Sequence, residues 1–268
     1  MKLNVIGPNR EKKGEIELPG QFSQPLRDDL IRRAVEAESS EKRQPYGASP
    51  DAGTRHSAYV SKRRRDYKTT YGIGQSRTPR KVMSRSGARM NWVGAFAPQT
   101  VGGRRSHPPK AEKIWSMKIN KKEKDMAIRS AIAATINKDI VEQRGHIVPE
   151  GYPFIIDKSS ESLKRTKEVI AFLESIGLGN EIERGSIKKV RPGKGKTRGR
   201  KYKRKKSTLI VTGENCPLLK ASRNVPGIDA LRVSDLTATV LAPGAAPGRL
   251  TLWTSSSIEK LAKEGLYK

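Results

Sequence analysis

A chain of 268 residues is long enough for one large or two ordinary domains, and its formal net charge of +28 makes polyanions its natural partners. The single cysteine, Cys216, excludes an internal disulfide framework and fits a reducing compartment, the cytoplasm. No apolar run approaches the ~20 residues that cross a bilayer, the basic segments lack the apolar face of an interfacial helix, and the Met1–Gly7 run is too short for a signal peptide. No membrane partner is expected.

In chain order, Leu3 to Ile6 reads as a short strand ended by Gly7-Pro8. Glu15 to Leu18 alternates polar and apolar residues and predicts an edge strand. A helix is expected from Pro25, with Ser23 or Gln24 as cap and Leu26, Leu30, Ala34 and Ala37 at helical spacing. It fades at Ser39-Ser40.

Residues 42–110 break the pattern. They hold 16 Lys and Arg against two acids, Asp51 and Asp66, with eight glycines, six prolines and six of the chain's 14 aromatics. No hydrophobic period of 2 or 3.6 persists, so the stretch lacks the apolar surface to offset its own ordering entropy. Long internal segments of this kind are usually functional or disordered. The mixture of Arg, Lys, Tyr, Trp, Gly and Pro suits RNA: cations neutralise phosphate, aromatic rings stack on unpaired bases, and glycine permits close backbone approach. Half its length, fully extended, spans ~110 Å at ~3.3 Å per residue, enough to thread into a folded RNA.

Regular structure resumes after Pro108-Pro109. Asn120 and Glu123 are a plausible capping pair for one long helix marked by Ile128, Ile132, Ile136 and Ile140 and ended by Gly145. Phe154 to Ile156 reads as a buried strand. Ser159 or Ser160 opens a helix through Leu163, Val169, Ile170, Leu173 and Ile176. A second basic block follows: residues 186–206 hold 12 basic and no acidic side chains. Thr208 to Thr212 is a strand, Cys216 to Lys220 is ambiguous, and Asp229 to Val233 is another short strand. Ser234 caps a helix through Leu241 that Pro243-Gly244 ends. Arg249 to Trp253 is a strand and Ser255 to Lys263 a terminal helix.

Strands alternating with helices predict an α/β three-layer globular domain with a mostly parallel central sheet, plus a long extended RNA-penetrating loop. Residues 1–41 and 111–268 would form the single globular domain, 42–110 the extended basic loop, and 186–206 a second RNA-binding segment within the domain.

Catalytic and cofactor motifs are missing. Gly195-Lys196-Thr197 imitates a P-loop, but the required glycine five positions earlier is Val190. Tyr71-Gly72-Ile73-Gly74 begins like a dinucleotide turn, but the third glycine position is Arg77. His56, His107 and His146 with Cys216 match no zinc spacing, and Cys216 reads as a small packed residue. No enzymatic activity and no cofactor are expected. The alternatives are an RNA-modifying enzyme, which the absent fingerprint disfavours, and a free RNA-binding regulator.

Several stretches are similar to the universal large-subunit ribosomal protein L-four family in its archaeal and eukaryotic form. They are Gly72 to Arg77 with Pro79-Arg80, Pro98 to Pro109, Lys118 to Glu123, Gly193 to Arg200, Arg223 to Ile228, Leu241 to Gly244 and Gly248 to Thr254. The resemblance implies a structural, rRNA-binding constituent of the large subunit that supports subunit folding and assembly. Its loop would reach the wall of the nascent-polypeptide exit tunnel. The tip would be Met83 to Trp92, with Ser84, Arg85, Ser86, Gly87, Ala88, Arg89 and Met90 facing the tunnel. Phosphate clamps would be Arg63, Arg64, Arg65, Arg77, Arg80, Arg104 and Arg105, with Tyr71 and Trp92 stacking. Arg55, Lys62, Lys68 and Lys81 in the loop, and Lys194, Lys196, Arg198, Arg200, Lys201 and Arg204 in the second block, complete the rRNA contacts. Expected partners are large-subunit rRNA, neighbouring ribosomal proteins and the nascent polypeptide, with no homo-oligomer.

Overall fold

The computed structural model describes residues 1–267 and divides into two compact units: Met1–Lys42 with the chain from Ser116 onward, and Arg43–Trp115. The first unit opens with β1 (Lys2–Ile6), which pairs antiparallel with the edge strand β2 (Lys12–Glu17). Helix α1 (Asp28–Glu41) starts three residues later than Pro25 suggests. The Ser130 hydroxyl accepts the Arg27 N–H (2.7 Å) and donates to the Pro25 carbonyl (3.2 Å), which holds this stretch extended. Neither Ser23 nor Gln24 caps the helix; Asp28 and Asp29 in its first turn complement the dipole instead.

The second unit carries strands β3 (Arg80–Ser86) and β4 (Arg89–Gly94). The chain then returns to the first unit at α2 (Lys121–Ala134) and α3 (Lys138–Gln143). The single long helix expected here is broken at Thr135–Asn137. The Asn137 side chain accepts the Asp139 N–H (3.1 Å), so that donor is lost to the helical ladder. The freed Thr135 carbonyl accepts the Tyr152 hydroxyl, and the Thr135 hydroxyl lies 3.3 Å from the Trp253 indole nitrogen, which donates to it. The break is thus sealed by two buried core side chains.

Next come β5 (Ile155–Ile156), α4 (Thr166–Ser175) and α5 (Gly179–Ser186). The helix expected from Ser159 is a 3-10 turn over Lys158–Ser162 followed by α4, and nothing in the residue pattern announces α5. Two-residue strands β6 (Lys189–Val190) and β7 (Tyr202–Lys203) follow, then β8 (Leu209–Thr212) and α6 (Pro217–Ser222), the ambiguous stretch. The unit closes with β9 (Asp229–Arg232), α7 (Ala238–Leu241), β10 (Thr251–Thr254) and α8 (Ser255–Glu264). Ser234 caps nothing; it lies in a 3-10 turn, and only the end of the expected helix is helical.

Six strands form one sheet in the order β2-β1-β5-β10-β8-β9, parallel except for the β1–β2 pair. Alternation along each strand divides the core in two. Leu3, Val5, Ile155, Leu209, Val211 and Trp253 face one way, toward Ile31, Ile128, Ile132, Leu241 and Ile258 of the helices on that side. Ile156, Ile210 and Leu252 face the other, toward Val169, Phe172, Leu173 and Leu218. Helices therefore cover both faces, and the unit is a three-layer α/β domain with a mostly parallel sheet.

The Arg43–Trp115 unit is held differently. Its ends meet: Tyr46 stacks on Trp115 with ring centroids 5.5 Å apart, and the Ala48 N–H donates to the Pro109 carbonyl (2.9 Å). Few of its apolar side chains are buried, Ala95 and Ala97 among them. Against the expectation of a stretch without regular structure, β3 and β4 make an antiparallel hairpin with Gly87-Ala88 as its two-residue turn. Gly87 takes φ +56°, the positive value that the first position of such a tight turn requires. A bulge at Met83 shifts the register between Val82 and Ser84.

Candidate nucleic-acid interface

The hairpin places the expected tip residues. Ser84, Arg85, Ser86, Gly87, Ala88 and Arg89 are exposed, and Met90 is half-buried. Arg85 donates to the Gly87 carbonyl (2.9 Å), and its guanidinium lies 5.3 Å from the Tyr67 ring centre. The tyrosines and tryptophans of this unit have cations beside their rings. Arg77 lies 5.6 Å from the Tyr71 ring and Arg80 lies 5.4 Å from the Trp92 ring, while the Trp92 indole N–H donates to Gln75 (2.9 Å). Each such pair presents a charged guanidinium beside a π face, the combination that reads a phosphate and its base together.

Arg55, Lys62, Arg63, Arg64, Arg65, Arg77, Arg104 and Arg105 are exposed. Tyr71, Arg80, Lys81 and Trp92 are half-buried. Lys68 is the exception: it is buried, with its ammonium 4.2 Å from the Tyr59 ring centre, and so is spent on holding the unit together. Asp66, one of the two acids of residues 42–110, accepts the Ser61 hydroxyl and the Tyr67 N–H, which hold its carboxyl below the usual range. Behind Arg104, a Cβ on Gly103 would lie 2.0 Å from the Ala97 carbonyl oxygen, so only glycine lets the chain pass there.

The second basic block is a hairpin arm. Strands β6 and β7 pair, the Arg191 N–H donates to the Lys201 carbonyl (2.8 Å), and the chain turns through residues 193–199. Lys194, Lys196, Arg198, Arg200, Lys201 and Arg204 are all exposed. Lys188 and Lys201 flank the Tyr202 ring at 5.8 and 5.5 Å.

What makes the arm a defined platform is its root. Glu181 is fully buried at the end of the core. It accepts from Arg184 (2.6 and 2.7 Å), from the Ile147 N–H (3.0 Å) and from the Ser207 hydroxyl (2.9 Å), and its Oε1 lies 2.7 Å from His146 Nδ1. Burial alone would raise its pKa, but the Arg184 and His146 bonds outweigh that and hold it at about 2. Burial, with Arg184 and Arg144 nearby, lowers the His146 pKa although the Glu181 bond raises it. Arg184 also donates to the Lys206 carbonyl (3.1 Å), which ties the last residue of the basic block to α5. Beside it the buried Arg249 donates to the Ser207 carbonyl (2.9 Å), the Val240 carbonyl (2.9 Å) and Asp229 (2.6 Å). Lys206 completes the Asp229 pairing at 2.8 Å. Arg144 donates to the Pro243 carbonyl (2.6 Å); burial, with Arg249 and Arg184 nearby, brings its pKa down to about 10.

Three groups are not foreseen from the sequence. Arg43 and Lys113 lie 3.8 and 4.3 Å from the Trp115 ring centre, a cationic clasp at the base of the second unit. Tyr67 receives Arg85, and the cluster of Glu181, Arg184 and Arg249 anchors the arm. Local signals exist only for Lys113, close to Trp115 in the chain, and for Glu181 and Arg184 on one helix; Arg43, Arg85 and Arg249 meet their partners only through the fold.

In parallel α/β sheets, ligands usually bind beyond the carboxyl ends of the strands. Here that space, at the N-terminus of α8, is a cleft of about 270 Å³ lined by Glu161, Glu214, Glu259 and Glu264 as well as by lysines. The Ser256 hydroxyl donates to Glu161 and accepts the Gly213 N–H (3.2 Å), so a carboxylate of the chain itself borders the start of the helix. Among the described residues, no group of three or more His, Cys, Asp or Glu is placed to hold a metal, and no helix is long and apolar enough to cross a membrane.

The cations displayed by residues 42–110 and by the β6–β7 arm define a polyanion-binding scaffold. The chain belongs to the ribosomal protein L4/L1 family, whose sequence profile matches residues 16–264. It is 49% identical over 268 residues to a large ribosomal subunit protein uL4 of Nanoarchaeum equitans, covering all of both chains. It is 43% identical over 267 residues to that of Archaeoglobus fulgidus, covering 98% of this chain and 99% of the relative. For the Methanococcoides burtonii protein of the same name the identity is 46% over 265 residues, 98% of each.

Proposed function

We infer that this chain is a structural constituent of the large ribosomal subunit, that it binds large-subunit rRNA beside neighbouring ribosomal proteins in the cytoplasmic ribosome, and that it is not an enzyme. The observation that carries the inference is full-length identity of 43 to 49% with proteins named large ribosomal subunit protein uL4. The chemistry agrees: +28 overall, with basic side chains concentrated in residues 42–110 and 186–206. The absent glycine fingerprint argues against the alternative of an RNA-modifying enzyme.

Within that role, residues 42–110 act as the segment that enters the rRNA, and residues 186–206 grip RNA closer to the α/β unit. The Gly87-Ala88 turn, flanked by Arg85 and Arg89, lines the nascent-polypeptide tunnel, and the chain is monomeric outside the ribosome. The support is the exposure of the tip, the alternation of guanidinium and aromatic groups behind it, and the buried anchor under the second arm. The test is sedimentation of tagged protein with large subunits, together with binding to large-subunit rRNA over a salt series. Retention on the subunit and a steep fall of affinity with salt are expected; a chain found only at the top of the gradient refutes the inference. Photo-cross-linking from position 87 to a stalled nascent chain tests the tip.

A further inference from the structure

One groove of the α/β unit borders the root of the second basic arm, where Lys206, Asp229 and Arg249 line it. Strand β9 is the last in the sheet order, so one of its edges has no partner strand. In a parallel ladder, alternate residues turn their N–H and C=O to the same side. The Asp229 N–H donates to the carbonyl of Thr208, just before β8 (3.2 Å), so Ala230 and Arg232 direct theirs outward. That edge is the floor of the groove, of about 630 Å³. One wall is Leu219, Lys220 and Arg223 at the end of α6; the other is Thr239, Val240 and Pro243 around α7.

Charge narrows the occupant. Asp229 is the one acid on the lining, and it is already neutralised by Lys206 and Arg249. Lys42, Lys220 and Arg223 on the rim form no ion pair among the described residues. Short, charged edges commonly protect a sheet against pairing. Here the edge lies between two walls with apolar side chains as well as cations, and so offers main-chain partners, apolar contacts and positive charge together. A phosphodiester strand supplies no run of N–H and C=O groups to such an edge, whereas an extended polypeptide does.

We propose that the β9 edge is a docking groove for an extended, carboxylate-rich segment of a neighbouring protein, which adds to the sheet as a seventh strand. This rests on the reading of the chain as a large-subunit constituent. At ~3.3 Å per residue, the four residues of β9 fit a partner strand of about the same length.

The test uses large subunits carrying the full chain with a photo-cross-linking benzoylphenylalanine in place of Leu219. The expected product is a cross-link to a protein segment rich in Asp and Glu. Ala230→Pro removes an outward N–H while leaving the β8 ladder intact, so the yield falls about five- to tenfold, as for removal of one main-chain hydrogen bond. Lys220→Glu combined with Arg223→Glu lowers it independently. A cross-link to rRNA, a cross-link to a basic segment, a yield indifferent to both variants, or no product from sedimenting subunits overturns the proposal. Failure of the unsubstituted chain to sediment with the subunit would instead remove the reading beneath it, and the inference with it.

Discussion

Glu181→Gln is the most informative perturbation of the arm's root. The substitution keeps shape and removes charge. Glu181 is fully buried, and its pKa lies at about 2 against an ordinary 4.5. A difference of this size corresponds to ~3 kcal/mol of folding stability, since each unit is worth ~1.4 kcal/mol. Because the folded value is depressed, that contribution is present above the unfolded pKa of about 4.5 and is lost as pH falls toward about 2. At pH 7 the variant should therefore be ~3 kcal/mol less stable than the parent, consistent with breaking a buried ion pair. Near pH 2.5 most of that difference should vanish, because the stabilisation that the charged carboxylate gives the parent has by then largely gone. Urea unfolding followed through Trp253, with Trp92 and Trp115 replaced by Phe, reports on the α/β unit alone: Trp253 is buried in its core, and the other two lie in the Arg43–Trp115 unit. A stability difference below ~1 kcal/mol at pH 7, or one that stays constant down to pH 2.5, refutes the assignment of Glu181 as the charged anchor of the arm.

Three further outcomes are expected. Replacing Arg104 and Arg105 by Ala should flatten the salt dependence of rRNA affinity by about one unit of log–log slope for each phosphate no longer neutralised, measured by filter binding. Trp92→Ala should weaken rRNA binding by ~1–3 kcal/mol in the same assay, and it also frees Arg80 and Gln75 from their present partner. Asn137→Ala removes the cap of α3 and should cost ~1 kcal/mol in urea unfolding, leaving the rRNA salt slope unchanged.

Much of the α/β unit is legible because its signals are local. Short runs of apolar and β-branched residues at Leu3–Ile6, Leu209–Thr212 and Thr251–Thr254 mark strands whatever surrounds them, and Ile258 and Leu261 mark the inner face of α8. Apolar spacing also runs unbroken from Ile128 to Ile140, and there it misleads. It reports which side chains face the core and says nothing of the Asn137 cap or the Tyr152 hydroxyl that takes the Thr135 carbonyl. The β3–β4 hairpin is hidden for the opposite reason: its strands are built of Arg, Ser, Met and Asn, and its stability comes from main-chain pairing and cation–aromatic contacts with little burial.

The candidate interface divides along the same line. That 42–110 and 186–206 are cationic follows from composition. Which cations are free for a phosphate does not: Lys68 is buried over Tyr59, while Arg63, Arg64 and Arg65 stand in solvent a few residues away. Arg249, in an ordinary strand-like run, is buried and binds two carbonyls and a carboxylate.

The class of partner, the α/β layering and the two basic excursions are written in the chain alone, because net charge and hydrophobic period are sums over neighbouring residues. Where helices break, which cations remain unpaired and how the arm is anchored emerge only in three dimensions. These depend on contacts between residues far apart in the chain, such as Glu181 with His146 and Ser207, or Arg249 with Asp229, and no local pattern encodes such meetings.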